Sequence, residues 1–150
     1  MEEIIKRNMD KLFRTALAIL GRKADAEDIV QDVFVKLVEH SPHFESPAHE
    51  TAWLMRVTIN LCKSRLRSYW WRRTVELLDI YPAADEMQYH LIDTVSSLPP
   101  KYRIVVHLFY YEDYSTQQIA DITQQKEAAV RQQLTRARRM LKDFLEVNPV

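Results

Sequence analysis

The chain has 150 residues, with 21 basic and 21 acidic side chains and a formal net charge of zero. No apolar run approaches the roughly 20 residues that span a bilayer, the acidic N-terminus lacks the apolar core of a signal peptide, and Cys62 has no second cysteine to pair with. These features predict a cytoplasmic protein without membrane insertion or an internal disulfide. The chain has one glycine, and its apolar residues recur at helical spacing, so we expect an all-α fold.

The first two predicted elements are amphipathic helices. Apolar residues at three-and-four spacing predict a helix over residues 2–20, and Gly21 is a suitable C-terminal stop. A second apolar face predicts a helix over residues 26–39, for which Asp25 is interpreted as the N-cap.

A loop over residues 40–50, with two prolines, separates the second helix from a third. Ser46 suits the N-cap of the third helix and Pro47 its first turn, and the helix is predicted to extend to about Trp71. Its cysteine is interpreted as a buried structural thiol. The side chains expected to face the core are Trp53, Leu54, Val57, Leu61 and Cys62.

Residues 51–73 hold six basic side chains, no acidic one and all three tryptophans. Cations that follow phosphates, together with rings that stack on bases, suit single-stranded nucleic acid. Structural packing is the alternative role for the rings; it is favoured for Trp53, and both roles stay open for Trp70 and Trp71. The polar side chains that recur on one face of this helix are Arg56, Asn60, Lys63 and Arg67.

Residues 74–93 are acidic, are interrupted by Pro82 and are predicted to be a linker. Residues 76–100 carry five acidic side chains and no basic one, and they separate basic blocks at 53–75 and 126–150. The neutral total therefore conceals two positive segments, and local potential rather than net charge steers association with a partner.

The C-terminal part of the chain has the pattern of a helix-turn-helix unit. A helix is predicted from Pro99 to Tyr111, and Ser115 with Gln118 forms a capping box for a short helix. Residues 123–125 are the candidate turn, which lacks the glycine that many such motifs place there. The apolar stripe of the next helix consists of Ala128, Ala129, Val130, Leu134, Ala137 and Leu141.

The other side of this last helix carries hydrogen-bond donors. Arg can read guanine and Gln can read adenine in the major groove, while further cationic contacts bind phosphate. The free N–H groups at the start of the preceding helix also suit a phosphate. A solvated basic face is the alternative to DNA binding. The candidate DNA-binding residues are Ser115, Thr116, Lys126, Arg131, Gln132, Thr135, Arg136 and Arg139.

No catalytic or metal site is predicted. His40, His43 and His49 lie around a loop without a nearby cysteine, and they are interpreted as solvated side chains because metal sites usually have tighter spacing. A glycine-rich phosphate loop is missing as well. We therefore expect no cofactor and no enzymatic activity.

Three segments, in this order, resemble the extracytoplasmic-function (group four) sigma factors of bacterial RNA polymerase, which belong to the sigma-70 family. They are DAEDIVQDVFVKL at 25–37, WLMRVTINLCKSRLR at 53–67, and the segment from LPPKYR to RARRML at 98–141. The resemblance covers nearly the whole chain.

The resemblance implies two promoter-binding domains. Residues 1–73 would be a three-helix sigma region 2, residues 74–93 an acidic linker, and residues 94–150 a sigma region 4 with its helix-turn-helix. Region 2 would dock on the coiled coil of the polymerase β′ subunit and melt the −10 promoter element, and region 4 would read the −35 element.

Site residues follow from the matching positions. The implied polymerase-docking residues are Asp25, Glu27, Asp28, Gln31 and Asp32. The implied −10 contacts are His43, Phe44 and Glu45 in a base-capturing loop, with Arg56, Asn60, Lys63 and Arg67 on the helix. The implied −35 helix departs from the family pattern, since Ala128 and Ala129 replace a common Gly-Thr and Glu127 adds an acid at its start.

The function implied by the resemblance is that of a non-catalytic specificity subunit. Its partners would be the polymerase core, through the β′ and β subunits, promoter DNA, and an anti-sigma factor that can hold it at the inner face of the membrane. A stand-alone helix-turn-helix regulator is the alternative, but it leaves the acidic segment at 25–32 and the basic block at 51–73 unexplained. A helical enzyme or metal protein is a third possibility, for which clustered ligands are lacking.

Overall fold

The structure, a computed structural model, describes residues 2–72 and 95–147, and the side chains of 2–68 and 95–146. These ranges contain helices and no strand, which confirms the all-α prediction. No helix within them is long and apolar enough to cross a membrane. The helices are α1 (Glu2–Leu20), α2 (Lys23–His40), α3 (Pro47–Arg72), α4 (Pro100–Val106), α5 (Thr116–Thr123) and α6 (Glu127–Val147).

Helices α1 to α3 pack around a shared apolar core, as their amphipathic spacing predicts. Helix α1 ends where expected, because Gly21 adopts a positive φ of 79° and its N–H donates to the Leu17 carbonyl at 2.7 Å. The fully buried contributors include Leu12, Ala16 and Ile19 from α1, Ile29, Val33 and Leu37 from α2, and Leu54, Met55, Ile59 and Cys62 from α3.

The start of α2 differs from the prediction. The helix begins at Lys23, and its N-cap is Arg22, which makes no side-chain capping bond. Asp25 lies in the first turn, and its Oδ1 accepts a hydrogen bond from Arg65 Nη1 of α3 at 3.2 Å. The N-cap assignment of Asp25 is therefore wrong, because this carboxylate faces a neighbouring helix and forms a tertiary ion pair there.

The start of α3 agrees with the prediction. The Ser46 hydroxyl accepts a hydrogen bond from the His49 N–H at 3.0 Å, and Pro47 is the first helical residue. One turn later, the buried Glu50 carboxylate accepts from Arg7 Nη2 at 2.7 Å and from Asn8 Nδ2 at 3.0 Å, which ties α3 to α1. Burial alone would raise the pKa of Glu50, but these hydrogen bonds outweigh it and hold the pKa below its ordinary value.

The predicted helix 99–111 is divided in two. Its first part is α4, and its last residues, His107–Tyr111, form a π-helical turn that continues from it. The Ser115 capping box is confirmed. The Ser115 hydroxyl accepts from the Gln118 N–H at 3.1 Å, and the Ser115 N–H donates to Gln118 Oε1 at 2.9 Å.

The turn of the helix-turn-helix forms without glycine. Gln124 takes the left-handed conformation at φ 56°, and its N–H donates to the Ala120 carbonyl, so that α5 stops and α6 begins at Glu127. This conformation costs a residue with a Cβ roughly 1–2 kcal/mol. The Gln125 N–H also donates to the Ala120 carbonyl, at 2.9 Å, and the second hydrogen bond helps to offset that cost.

The N-terminal and C-terminal helices both contribute to one core cluster, and a polar network around the buried Glu112 side chain lies where they meet. Arg14 of α1 donates through Nε and Nη2 to the two oxygens of Glu112, at 3.1 and 3.2 Å. His107 Nε2 lies 3.2 Å from Thr15 Oγ1 and 3.4 Å from Glu112 Oε1. The Glu112 side chain is only 2% exposed, and we name these four residues the junction network.

His107 and Glu112 were not among the residues that the sequence pattern indicated. Burial lowers the pKa of His107, and the charge of Arg14 acts in the same direction, whereas Glu112 raises it less strongly. Folded protein therefore holds His107 neutral at pH values where unfolded chains begin to protonate it. Its contribution to stability is present above the unfolded pKa of about 6.5 and is lost as the pH falls below it.

We expect the free energy of unfolding to decrease between pH 7.5 and 5.5, and to decrease less in His107→Gln, because that variant cannot take up the proton. Chemical denaturation at several pH values measures the slope. His43→Gln, which alters an exposed loop histidine, is the matched control and should keep the wild-type slope. Equal slopes in wild type and His107→Gln would contradict the assignment.

The two acidic residues Asp25 and Asp32 of α2 should differ in their contribution to stability. Asp25→Ala removes the carboxylate that pairs with Arg65 in a site where the Asp25 side chain is 15% exposed, so we expect a loss of about 1 kcal/mol. Asp32 is exposed, and Asp32→Ala should change stability by less than about 0.5 kcal/mol. Urea denaturation compares them; equal effects would mean that the Arg65 pair adds nothing.

Candidate nucleic-acid interface

The four residues on the polar face of α3 differ in exposure and in their contacts. Asn60 and Arg67 are exposed, and the Arg67 guanidinium donates to Ser64 Oγ at 3.1 Å. Lys63 is half-buried, and burial, together with the charge of Arg67, lowers its pKa. The sequence interpretation of these residues as nucleic-acid contacts stays a prediction, and the geometry makes Asn60 and Arg67 its most accessible members.

Arg56, the first residue of the same face, points to the C-terminal half of the chain. Its Nη2 donates to the Asp121 carbonyl of α5 at 2.8 Å. The helix periodicity that groups it with Asn60 is therefore correct, but in this arrangement a hydrogen bond between the two halves occupies one Arg56 donor. Any other acceptor for that donor has to displace the Asp121 carbonyl.

A groove of about 390 Å³ runs between α2 and α3, with Asn60 on its wall. The Asn60 amide can both donate and accept, as reading of a base edge requires. Besides α3 residues at helical spacing, the groove includes two residues of α2 that sequence spacing could not connect to them. Its lining residues are Lys36, His40, Trp53, Val57, Asn60, Leu61 and Ser64.

The loop between α2 and α3 is held in place by aromatic contacts. The Phe44 ring lies 5.8 Å from the Trp53 ring and meets the His49 ring edge-on at 5.5 Å. The Glu45 N–H donates to His49 Nδ1 at 3.2 Å, while the Glu45 and His43 side chains are exposed. Trp53 packs against the core, as predicted, and also lines the groove. Phe44 therefore contacts one wall of the groove, through the Trp53 ring.

These loop histidines do not form a metal site. Across residues 2–72 and 95–147, no group of three or more His, Cys, Asp or Glu side chains is placed to hold a metal ion. Cys62, as predicted, is buried, and burial raises the pKa of its thiol to about 12. A thiol with such a pKa stays protonated and is a poor metal ligand at neutral pH.

The five candidate docking residues at the acidic start of α2 differ in how exposed their side chains are. Asp25 is turned toward Arg65, and Asp28 lies 3.5 Å from the same guanidinium with its side chain 60% exposed. The remaining three candidates, Glu27, Gln31 and Asp32, are exposed. A partner that recognises this helix would therefore meet these three and the edge of Asp28, with Asp25 underneath.

Helix α6 has an apolar and a polar face, as the sequence predicts, except that Ala128, predicted for the apolar stripe, is exposed. Val130, Leu134 and Ala137 are buried against the rest of the C-terminal helices. The Thr135 hydroxyl donates to the Arg131 carbonyl at 3.0 Å, within the helix. The exposed residues on the opposite side are Arg131, Gln132, Thr135, Arg136 and Arg139.

The N-terminus of α5 is adjacent to the start of α6. Ser115 uses its hydroxyl and its N–H in the capping box, so its helix-capping role is secured independently of any ligand. The Thr116 hydroxyl donates to Glu127 Oε1 at 2.9 Å, across the turn. Lys126 is exposed in the turn, so the three predicted DNA-binding residues Ser115, Thr116 and Lys126 share one end of the unit.

Two contacts of α6 were not among the predicted features. Arg138 donates through Nε to the Tyr110 hydroxyl at 2.6 Å. Its guanidinium also lies 5.7 Å from the centres of the Phe109 and Tyr110 rings. These contacts hold α6 against the π-helical turn. Glu127 accepts from Arg131 Nη2 at 2.6 Å. Glu127 was noted only as an added acid, and the i, i+4 spacing to Arg131 is the signal that could have predicted the pair.

Two sequence interpretations lie outside the described residues. They are the acidic linker at 74–93 and the roles of the Trp70 and Trp71 side chains at the end of α3.

Comparison with known proteins identifies both halves of the chain. The family model for Sigma-70 region 2 matches residues 4–72, and the one for Sigma-70, region 4 matches residues 90–141. The chain is 30% identical to "ECF RNA polymerase sigma factor SigE" of Mycolicibacterium smegmatis and 31% identical to "Probable RNA polymerase sigma factor RfaY" of Xanthomonas campestris pv. campestris. These alignments cover 96% and 87% of this chain, and they span 61% and 36% of the relatives' own lengths.

The fold is also similar to that of a solved sigma factor. The sigma factor RpoE of Bartonella quintana, in a co-crystal structure with the anti-sigma factor NepR, matches with a TM-score of 0.78 at 22% identity, over 98% of this chain and 97% of that one. The two region matches lie in the same order as the three resembling segments and together span α1 to α3 and α4 to most of α6. The chain therefore belongs to the sigma-70 family of RNA polymerase sigma factors, in its extracytoplasmic-function group.

Proposed function

We propose that this protein is a promoter-specificity subunit, which directs the RNA polymerase core to defined promoters and carries out no chemistry itself. The observation that carries the proposal is the presence, in one chain, of the exposed polar face of α6 and the groove beside Asn60 in the regions that match sigma regions 4 and 2. One face suits the major groove of a duplex, and the other suits a separated strand.

The division of labour follows the three parts of the chain. Residues 1–73 dock on the polymerase β′ subunit through the exposed acids of α2 and hold the −10 element along α3. Residues 74–93 connect the two domains, and residues 94–150 read the −35 element through α6 and contact the β subunit. One Arg56 donor is engaged by the Asp121 carbonyl, and Arg56 gains its full set of donors for the −10 strand when α3 separates from α5, so we expect promoter binding to favour that separation.

An anti-sigma factor is the proposed regulatory partner. Two structural neighbours bear on this point: RpoE is in complex with the anti-sigma factor NepR, and CnrH is in complex with the cytosolic domain of CnrY. A partner that holds the two domains together would keep Arg56 on Asp121 and withhold that side chain from DNA. We propose a cytoplasmic location, at the inner face of the membrane where the partner is membrane-bound.

Co-elution of the full chain with bacterial core RNA polymerase, followed by transcription from sheared genomic DNA, tests the proposal. Core binding with defined transcript start sites is the expected result, and it identifies the promoter at the same time. Retention of duplex DNA without core binding would instead favour a stand-alone helix-turn-helix regulator.

Asp32→Lys should weaken binding to core polymerase at least tenfold, because it reverses a charge on the exposed acidic face of α2 without removing an internal contact. Competition against the unmodified chain for limiting core measures the effect. Glu2→Lys, at an exposed position at the start of α1, is the control and should compete normally. Unchanged competition by Asp32→Lys would place the docking surface elsewhere.

Asn60→Ala should weaken binding of the core-bound protein to forked DNA with a single-stranded −10 element by about tenfold, since one paired amide contact to a base is worth roughly 1–3 kcal/mol. Asn60→Asp should bind still more weakly, because a carboxylate of the same shape repels phosphate and cannot donate. Binding of a −35 duplex should not change in either variant. If Ala and Asp bind the fork as well as Asn does, the groove beside α3 does not hold the strand.

A further inference from the structure

Glu127 is the first residue of α6, and one of its oxygens joins two helices. Its Oε1 accepts a hydrogen bond from the Thr116 hydroxyl at the start of α5, at 2.9 Å, and another from Arg131 Nη2, at 2.6 Å. Thr116 and Arg131 are both proposed DNA contacts. The carboxylate therefore lies at the centre of the surface that would face the duplex.

The carboxylate is charged at neutral pH. The Thr116 hydrogen bond lowers the pKa of Glu127, burial opposes this effect, and the charge and hydrogen bond of Arg131 lower the pKa further. The N-terminal end of α6 also favours a negative side chain in its first turn. A negative charge at this position would repel the phosphates of an approaching duplex of any sequence.

Glu127 also has a favourable effect, because it holds the Arg131 side chain in one position. Arg131 is 69% exposed and has a long, rotamer-rich side chain. The hydrogen bond from Nη2 to Glu127 restricts it before DNA arrives, so less freedom is lost when its remaining donors meet a base. A guanidinium held by one edge presents its other N–H groups in a fixed fork, which suits the O6 and N7 acceptors of guanine better than an isolated phosphate.

We propose that Glu127 is a specificity-determining positioning residue of the recognition helix. It holds Arg131 in place to contact a guanine at one base pair, and its charge repels phosphate. It thereby lowers the affinity for DNA of any sequence and raises the preference for that guanine. The inference rests on the proposed reading of the −35 element by α6. Glu127 itself need not touch the base, because it acts through Arg131.

The test is selection of −35 duplexes from a randomised pool by the full chain bound to core polymerase, followed by affinity measurements on the selected and on unrelated duplexes. Wild type should enrich guanine at one position. Glu127→Ala should bind unrelated duplexes severalfold more tightly, with a steeper salt dependence, while its preference for that guanine falls roughly tenfold. Glu127→Gln, which keeps an acceptor for Thr116 and Arg131 without the charge, should fall between the two.

Two further variants separate positioning from general charge and from folding. Glu146→Ala removes an exposed acid from the same helix, about 28 Å along its axis, and it should leave the guanine preference unchanged. The double variant Glu127→Ala/Arg131→Ala should lose no more preference than Arg131→Ala alone, because the two residues act as a unit. Thermal unfolding of each variant confirms that the helix-turn-helix is intact.

The outcomes distinguish this inference from the proposed function. If wild type enriches no −35 sequence, the proposed function fails in its region 4 part. If wild type enriches one and Glu127→Ala keeps the full preference, or Glu146→Ala loses it equally, only the role of Glu127 is overturned. Weaker binding of Glu127→Ala to all duplexes would also overturn it, because Glu127 would then serve only to hold α5 and α6 together.

Discussion

Glu112 is the buried charge on which the arrangement of the two halves depends. Its side chain is 2% exposed, and a carboxylate in such a place is costly unless it is paired and hydrogen-bonded. Arg14 supplies two hydrogen bonds from α1, and His107 lies within 3.4 Å on the same side. Because Glu112 and Arg14 belong to different halves of the chain, separating the halves would return the buried Glu112 carboxylate to water, where it no longer needs a paired donor.

The same contact region connects the fold to the proposed function. Arg56 lies on the face of α3 proposed for the −10 strand, but it donates to the Asp121 carbonyl of α5. The exposed faces of α6 and of the groove beside Asn60 need no such release. This conformation leaves the polar face of α6 exposed while it engages Arg56 on the face proposed for the −10 strand. This difference is the physical reason for the proposal that promoter binding separates the two halves.

Much of the fold could be predicted because the responsible interactions are local. Gly21 ends α1 by its own backbone freedom, Ser46 caps α3 within one turn, and Ser115 with Gln118 caps α5 reciprocally. Exposure on α6 follows from the helical period alone, so Arg131 and its neighbours were correctly separated from Val130 and Leu134. The residues that form each of these caps lie within four positions of one another in the chain. The order of residues is therefore enough to predict them.

The sequence by itself determined the helical class, the element order, the family and the two polar faces, because periodicity, capping and motif order are properties of neighbouring residues. Only the tertiary structure decided what individual charges do. Asp25 pairs with Arg65, 40 residues away, instead of capping its own helix, and Glu112 meets Arg14 across 98 residues. Which residues become partners depends on how the helices pack. A charged side chain has no desolvation cost in water, but once packing excludes water it needs an opposite charge to offset that cost.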